Sequence, residues 1–293
     1  MPLDGALLAI LVMCAGMAAV NGANDVSKGV ATLAGAGVTR YRTAIAWGVA
    51  ATLVGSSLSL AVASGISTLF SKGIVSVSPQ PAFTLAVLSG AAAWVGLATL
   101  ARLPVSTTHA LTGALIGAGL LLAPGSVLWG SIALKVAIPL LLSAAVSYAI
   151  SATLARVTRA APQCVCVEVR ASESVTSSAK RSPVPTSTVA ISMAHVVNPQ
   201  VSLIATSRER CPVHDTGVTR FGINVNGAHW VSSGATCLAR GLNDTPKIWA
   251  VGAFALVPAH LAAGQLLATV AVAMAIGGIV AGIRVARRLG EHI

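Results

Sequence analysis

The chain has 293 residues, of which 55% are hydrophobic and only 9% charged, and its mean hydropathy is +0.82. That composition excludes a soluble globular domain and places the chain among polytopic membrane proteins. A formal net charge of +11 would suit nucleic-acid binding, but the Arg and Lys residues sit in short connections and one polar segment, where they orient membrane spans. No nucleic-acid partner is expected.

Met1-Pro2-Leu3-Asp4 precedes an apolar run from Gly5 to Val20. A cleaved signal peptide opens with a basic region, and this one carries an acid, so the run is read as the first span. With about 20 apolar residues needed per crossing, the spans predicted before the polar segment are 6–38 (interrupted by a polar motif), 44–66, 82–100, 105–122 and 136–155. Segment 105–122 is either a crossing or a re-entrant hairpin. Residues 156–221 are rich in Ser, Thr, Pro and charge, which predicts a poorly ordered connecting loop. Two spans follow, 223–261 (interrupted by a second motif) and 264–283. The domain organisation is thus a first transmembrane unit over 1–155, a polar loop over 156–221 and a second unit over 222–293.

The 28 glycines suit close helix packing in lipid, and Gly113-x-x-x-Gly117 would allow such contacts within the subunit or in a homodimer. The five cysteines form no even framework, and Cys164-Val165-Cys166 with Cys211 and His214 lacks the usual zinc spacing, so loop thiols are expected rather than a metal.

Positive charge orients the spans. With the 156–221 loop in the cytoplasm, five crossings backward put Arg40, Arg42 and Arg102 inside and the N-terminus outside; two crossings forward put Arg284, Arg287, Arg288 and the C-terminus inside. The location expected is the cytoplasmic membrane, with lipid as surroundings.

Two acids lie in the long apolar stretches, each after an asparagine in a near-copy of the other's motif. These are Gly22-Ala23-Asn24-Asp25-Val26-Ser27-Lys28 and Gly241-Leu242-Asn243-Asp244-Thr245-Pro246-Lys247, 219 residues apart (244 minus 25). A charge at bilayer depth costs roughly 2.5–3.5 kcal/mol, so a duplicated one needs a reason. An odd number of crossings between the copies would invert the second against the first, as in many secondary transporters. Glycine and proline around both motifs predict helices broken in mid-membrane, with carboxylate and amide oxygens suited to Na⁺, H⁺ or a divalent ion. The bland alternative is local neutralisation: Lys28 and Lys247 each follow their aspartate by three residues.

A third motif is Arg102-Leu103-Pro104-Val105-Ser106-Thr107-Thr108-His109. Pro104 stops what precedes it, and three hydroxyls then open a helix whose free amide groups favour an oxyanion. An ordinary N-cap run reads equally well from spacing.

Together, Gly-Ala-Asn-Asp-Val, Pro-Val-Ser-Thr-Thr-His-Ala and Ala239-Arg240-Gly241-Leu242-Asn243-Asp244-Thr245-Pro246-Lys247 resemble the inorganic phosphate transporter (PiT) family. The resemblance covers nearly all of the chain outside the polar loop. It implies an all-α polytopic secondary transporter built of inverted repeats with broken helices, carrying inorganic phosphate with Na⁺ or H⁺, in some bacterial members as a metal–phosphate complex. It implies no organic cofactor, no metal beyond the coupling cation and no catalysis. Asn24, Asp25, Asn243 and Asp244 would hold coupling cations, Asp25 and Asp244 would face the substrate, and Ser106, Thr107 and Thr108 would donate to phosphate oxygens; Lys28 and Lys247 would be charge partners.

Phosphate bears roughly one to two negative charges near neutral pH, so a bare carboxylate beside it repels it. A cation between them makes the binding of each depend on the other. Two departures from the family pattern stand out. Lys28 occupies a position where well-known members carry Asn, so it would bind phosphate, replace a coupling cation or only pair with Asp25. The second Pro-x-Ser-x-Thr-His motif is expected near position 323, past Ile293, so the second repeat reads as incomplete. Alternatives are a nontransporting remnant, one half of a split transporter whose C-terminal half is separately encoded, or a transporter of arsenate or sulfate. An intramembrane enzyme is disfavoured because His109 near Ser106 has no plausible third partner.

Overall fold

A computed structural model describes residues 4–62, 64–78, 80–160, 164–170, 200–206, 218–258 and 260–292. Helix α1, Gly5–Gly35, opens on Asp4, whose side chain accepts from the Leu7 amide at 2.8 Å. It then runs unbroken through Asn24-Asp25, contrary to the interruption expected there. The reason is visible in the spacing. Asn21, Asn24, Asp25 and Lys28 recur at i, i+3, i+4 and i+7, so one helical face gathers them without opening the backbone. Helix α8, Val225–Leu256, is likewise continuous, with Pro246 inside it and Arg240, Asn243, Asp244 and Lys247 at the same spacing.

Between them lie α2 (Tyr41–Val62), the short α3 (Ser64–Thr68) widening into a π turn over Leu69–Gly73, α4 (Pro81–Leu100) and α5 (Thr107–Leu122). A single turn, α6 (Trp129–Ile132), leads through a π segment at Ala133–Ala137 into α7 (Ile138–Ala160); α9 (Ala263–His292) follows α8. Among the described residues, five helical stretches are long and apolar enough to cross a membrane: Gly5–Gly35, Tyr41–Val62, Pro81–Leu100, Trp129–Val157 and Ala263–Glu291. The 16-residue α5 measures about 24 Å at 1.5 Å per residue, shorter than a hydrocarbon core of about 30 Å. It folds back against α4 as a helical hairpin.

Glycine lets the motif helices approach their neighbours. A Cβ on Gly277 of α9 would sit 1.8 Å from the Ala19 carbonyl oxygen of α1, and one on Gly22 would sit 1.9 Å from that of Met274. Helices α2 and α8 meet in the same manner, through Gly55 against Leu238 and Gly241 against Thr52. One apolar core joins Ile10, Met17, Leu88, Leu111, Ile248 and Met274; a second joins Val30, Leu33, Ile45, Val49 and Ala286. Large apolar side chains such as Leu58, Leu97, Leu121, Leu141 and Val280 lie outside, the exterior a lipid solvent requires.

The chain divides into two compact units, residues 1–150 with 229–293, and residues 151–228. In the second, the described residues of the polar segment include strands where an irregular loop is expected. That unit holds strands β1 (Cys164–Arg170), β2 (Gln200–Thr206) and β3 (Val218–Asn224) in an antiparallel sheet of order β2-β1-β3. Alternation of period two was present in the sequence at Val165, Val167 and Val169. Register pairs Val165 with Ala205 and Ile223, and Val167 with Leu203 and Phe221, so apolar positions share rows. Cys211 and His214 lie outside the described residues.

Candidate functional site

The two polar stripes meet. Asp25 of α1 and Asp244 of α8 are both buried and lie close enough for their carboxyl groups to interact. Like charges so placed require compensation, and three cationic side chains supply it. Lys28 Nζ pairs with Asp25 Oδ1, Arg240 reaches Asp25 Oδ2 at 3.1 Å, and Lys247 Nζ lies 3.0 Å from Asp244 Oδ1. Three positive groups against two carboxylates leave one surplus positive charge in the cluster.

Both lysines pair with their own aspartates, as the local-neutralisation alternative expects, and both also reach the hairpin between α4 and α5. Lys28 donates to the Val105 carbonyl, and Lys247 donates to Thr108 Oγ1 at 2.6 Å. The side chain of Lys247 is only 4% exposed and lies 5.9 Å from the centre of the Phe70 ring, so its charge is held in a largely apolar setting.

The three hydroxyls expected to bind an oxyanion separate. Ser106 is the N-cap of α5, exposed, and its Oγ accepts from the His109 amide at 3.4 Å. Thr107 is buried and donates to Asn21 Oδ1 on α1. Thr108 alone reaches the acid–base cluster, through Lys247. The N-cap reading describes Ser106.

The two asparagines also differ. Asn24 is fully buried, and its amide nitrogen donates to Thr99 Oγ1 at 3.1 Å and to the Leu103 carbonyl at 2.8 Å. Its Oδ1 accepts from the Val105 amide at 3.0 Å. Pro104, between those two residues, has no N–H to offer, so a side-chain amide from α1 completes the loop's hydrogen bonding. Asn24 thus positions the hairpin. Asn243 is exposed and donates to Asp244 Oδ1 at 3.2 Å.

Thr108, Asn243 and Lys247 line an open cleft of about 290 Å³, with Lys135 and Ser143 of the α6–α7 stretch on its far wall. A larger cleft of about 770 Å³ opens elsewhere, between Lys72, Val75, Trp249 and Phe254; among the described residues no carboxylate lines either cleft. The first of the two shares Lys247 and Asn243 with the charged cluster.

Asn21, Thr99 and Arg240 were not singled out from sequence. Asn21 and Arg240 each open a stripe at i, i+3, i+4 and i+7, and occupy matching places 219 residues apart (240 minus 21). That repetition was the available signal. Thr99 carried none.

Apolar helices enclosing a compensated pair of acids beside a polar cleft define a polytopic membrane protein. The chain belongs to the phosphate transporter family, whose profile matches residues 21–293. Among its relatives is a protein named as a phosphate permease in Chlamydia pneumoniae, 32% identical over 133 residues, or 43% of this chain and 31% of the relative. The chloroplastic inorganic phosphate transporter 2-1 of Arabidopsis thaliana is 31% identical over 153 residues, or 48% of this chain and 25% of the relative. The chain thus spans about a third or less of the length of these relatives. A solved structure titled the sodium-dependent phosphate transporter shares the fold, with a TM-score of 0.67, 17% identity, and coverage of 98% of this chain and 78% of that one.

Proposed function

We propose that this chain carries inorganic phosphate across the cytoplasmic membrane by secondary active transport, coupled to Na⁺ or H⁺, with the anion seated in the Thr108–Asn243–Lys247 cleft. The observation that carries the proposal is the meeting of Asp25 and Asp244, from two copies of one motif, in a single cluster tied to the α4–α5 hairpin. An ammonium and a hydroxyl side by side are donors matched to phosphate oxygens. Coupling would follow wherever the binding of the anion and the binding of a coupling ion or proton at the Asp25–Asp244 cluster depend on each other.

A repeat relation supports the proposal. A shift of 219 residues carries α1 onto 224–254, against the observed Val225–Leu256, and carries α2 onto α9. The pairing of α1 with α9 through Gly22 then corresponds to the pairing of α8 with α2 through Gly241. Inversion of the second copy, with the N-terminus outside and the C-terminus cytoplasmic, requires α5 to complete a crossing. Labelling of cysteines introduced singly at Arg102 and Leu122, from either side of the membrane, tests it; access from the same side would refute inversion.

The functional test is phosphate uptake into vesicles containing this polypeptide alone, under an imposed Na⁺ or pH gradient. Concentrative uptake that Asp25→Asn abolishes is expected. No uptake from well-folded protein would refute the proposal and favour a chain that works only with a further polypeptide. A second reading, transport of arsenate or sulfate, draws on the same donors, since hydroxyl and ammonium groups recognise tetrahedral oxyanions by geometry and charge. Competition by each anion separates the two.

A further inference from the structure

The charge balance of the cluster bears on what must accompany the anion. Both oxygens of the Asp25 carboxylate already face a cation, Lys28 Nζ at Oδ1 and an Arg240 guanidinium nitrogen at Oδ2. Asp244 Oδ1 faces Lys247 Nζ and the Asn243 amide. None of these cations is free to leave. Each is covalently part of α1 or α8, and Lys28 and Lys247 are further held by Val105 and Thr108 of the hairpin. The cluster therefore carries its own compensation and one positive charge beyond it. A mobile metal cation entering this centre meets net repulsion, whereas a singly charged oxyanion beside Lys247 and Thr108 makes the whole neutral.

From this arrangement we infer that Lys28, Arg240 and Lys247 act as tethered counter-ions in place of Na⁺, so that the site binds a singly charged oxyanion without sodium. This rests on the phosphate reading above and narrows it. Lys28 is the residue on which the inference turns. Without it, Asp25 and Asp244 face only Arg240 and Lys247, the surplus charge is gone, and a place beside Asp25 Oδ1 opens for an inorganic cation.

The experiment is equilibrium binding of inorganic phosphate to the purified full chain in detergent, in sodium chloride and in choline chloride at equal ionic strength. Affinity within twofold in the two salts is expected. For Lys28→Asn, affinity at least tenfold weaker in choline and substantially recovered in sodium is expected. Tenfold tighter binding of the unaltered protein in sodium would overturn this inference while leaving the phosphate reading intact. Absence of phosphate binding in both salts would overturn the phosphate reading and this inference together. The salt comparison on the unaltered chain decides the matter even if Lys28→Asn fails to fold.

Discussion

Replacing Asn24 with alanine removes three hydrogen bonds at a fully buried position, those to Thr99 Oγ1, the Leu103 carbonyl and the Val105 amide. Each such bond contributes about 1 kcal/mol net, and a buried partner left without a bond costs about 1–3 kcal/mol more. Thr99 keeps its bond to the Val95 carbonyl at 2.7 Å, and the loop is partly open to solvent, so water replaces some of the loss. These considerations put the destabilisation at about 2–4 kcal/mol. Asn24→Asp keeps the acceptor facing Val105 but loses both donors and adds a negative charge one residue from Asp25, so it is expected to cost at least as much. The measurement is unfolding of the purified protein in mixed micelles of mild detergent and SDS, followed by tryptophan fluorescence. Unchanged stability in both variants, with loss of cation dependence alone, would refute the positioning role and return Asn24 to the coupling-cation role that the family resemblance implies.

Other substitutions test the remaining parts of the argument. Lys247→Met leaves the Asp244 carboxylate buried without its ammonium partner and is expected to cost about 3–5 kcal/mol; adding Asp244→Asn should recover part of that loss in the same assay, and strict additivity would argue that the pair is uncoupled. Gly277→Val forces α1 and α9 apart, because its Cβ alone would lie 1.8 Å from the Ala19 carbonyl oxygen. A loss of about 3 kcal/mol or more is expected, read as increased protease sensitivity and aggregation on size exclusion. Arg102 sits at φ 60°, where the Leu103 amide returns to Ala98 O at 2.8 Å and its own amide to Thr99 O at 3.0 Å, the wrap that closes α4. Arg102→Gly is expected to stabilise the protein by about 1 kcal/mol, and a lower unfolding midpoint would refute that.

Some features were fixed by the chain's local chemistry. The cost of a charge in an apolar run marks Asp25 and Asp244 wherever the helices end up, and long apolar segments specify spans through composition alone. The sheet was within reach too, since Val165, Val167 and Val169 alternate with polar neighbours inside a segment whose overall polarity suggested a loop. Continuity of α1 and α8 was legible in the stripes 21-24-25-28 and 240-243-244-247, but glycine and proline around the motifs argued for a break. Packing settled the conflict: those glycines bring α1 onto α9 and α8 onto α2.

What only the tertiary structure decided is partnership. Asn24 turns to a hairpin about 80 residues away because Pro104 leaves that backbone short of a donor. Lys247 crosses 139 residues of sequence to Thr108, while Ser106 spends its oxygen capping α5. Arg240, whose place in the α8 stripe marks its face but not its partner, becomes the second cation on Asp25. Residue type and helical period determine which side of a helix is polar. Which polar sides face each other, and whether the assembled charges sum to a site for a cation or for an anion, depends on contacts that close only when distant helices pack.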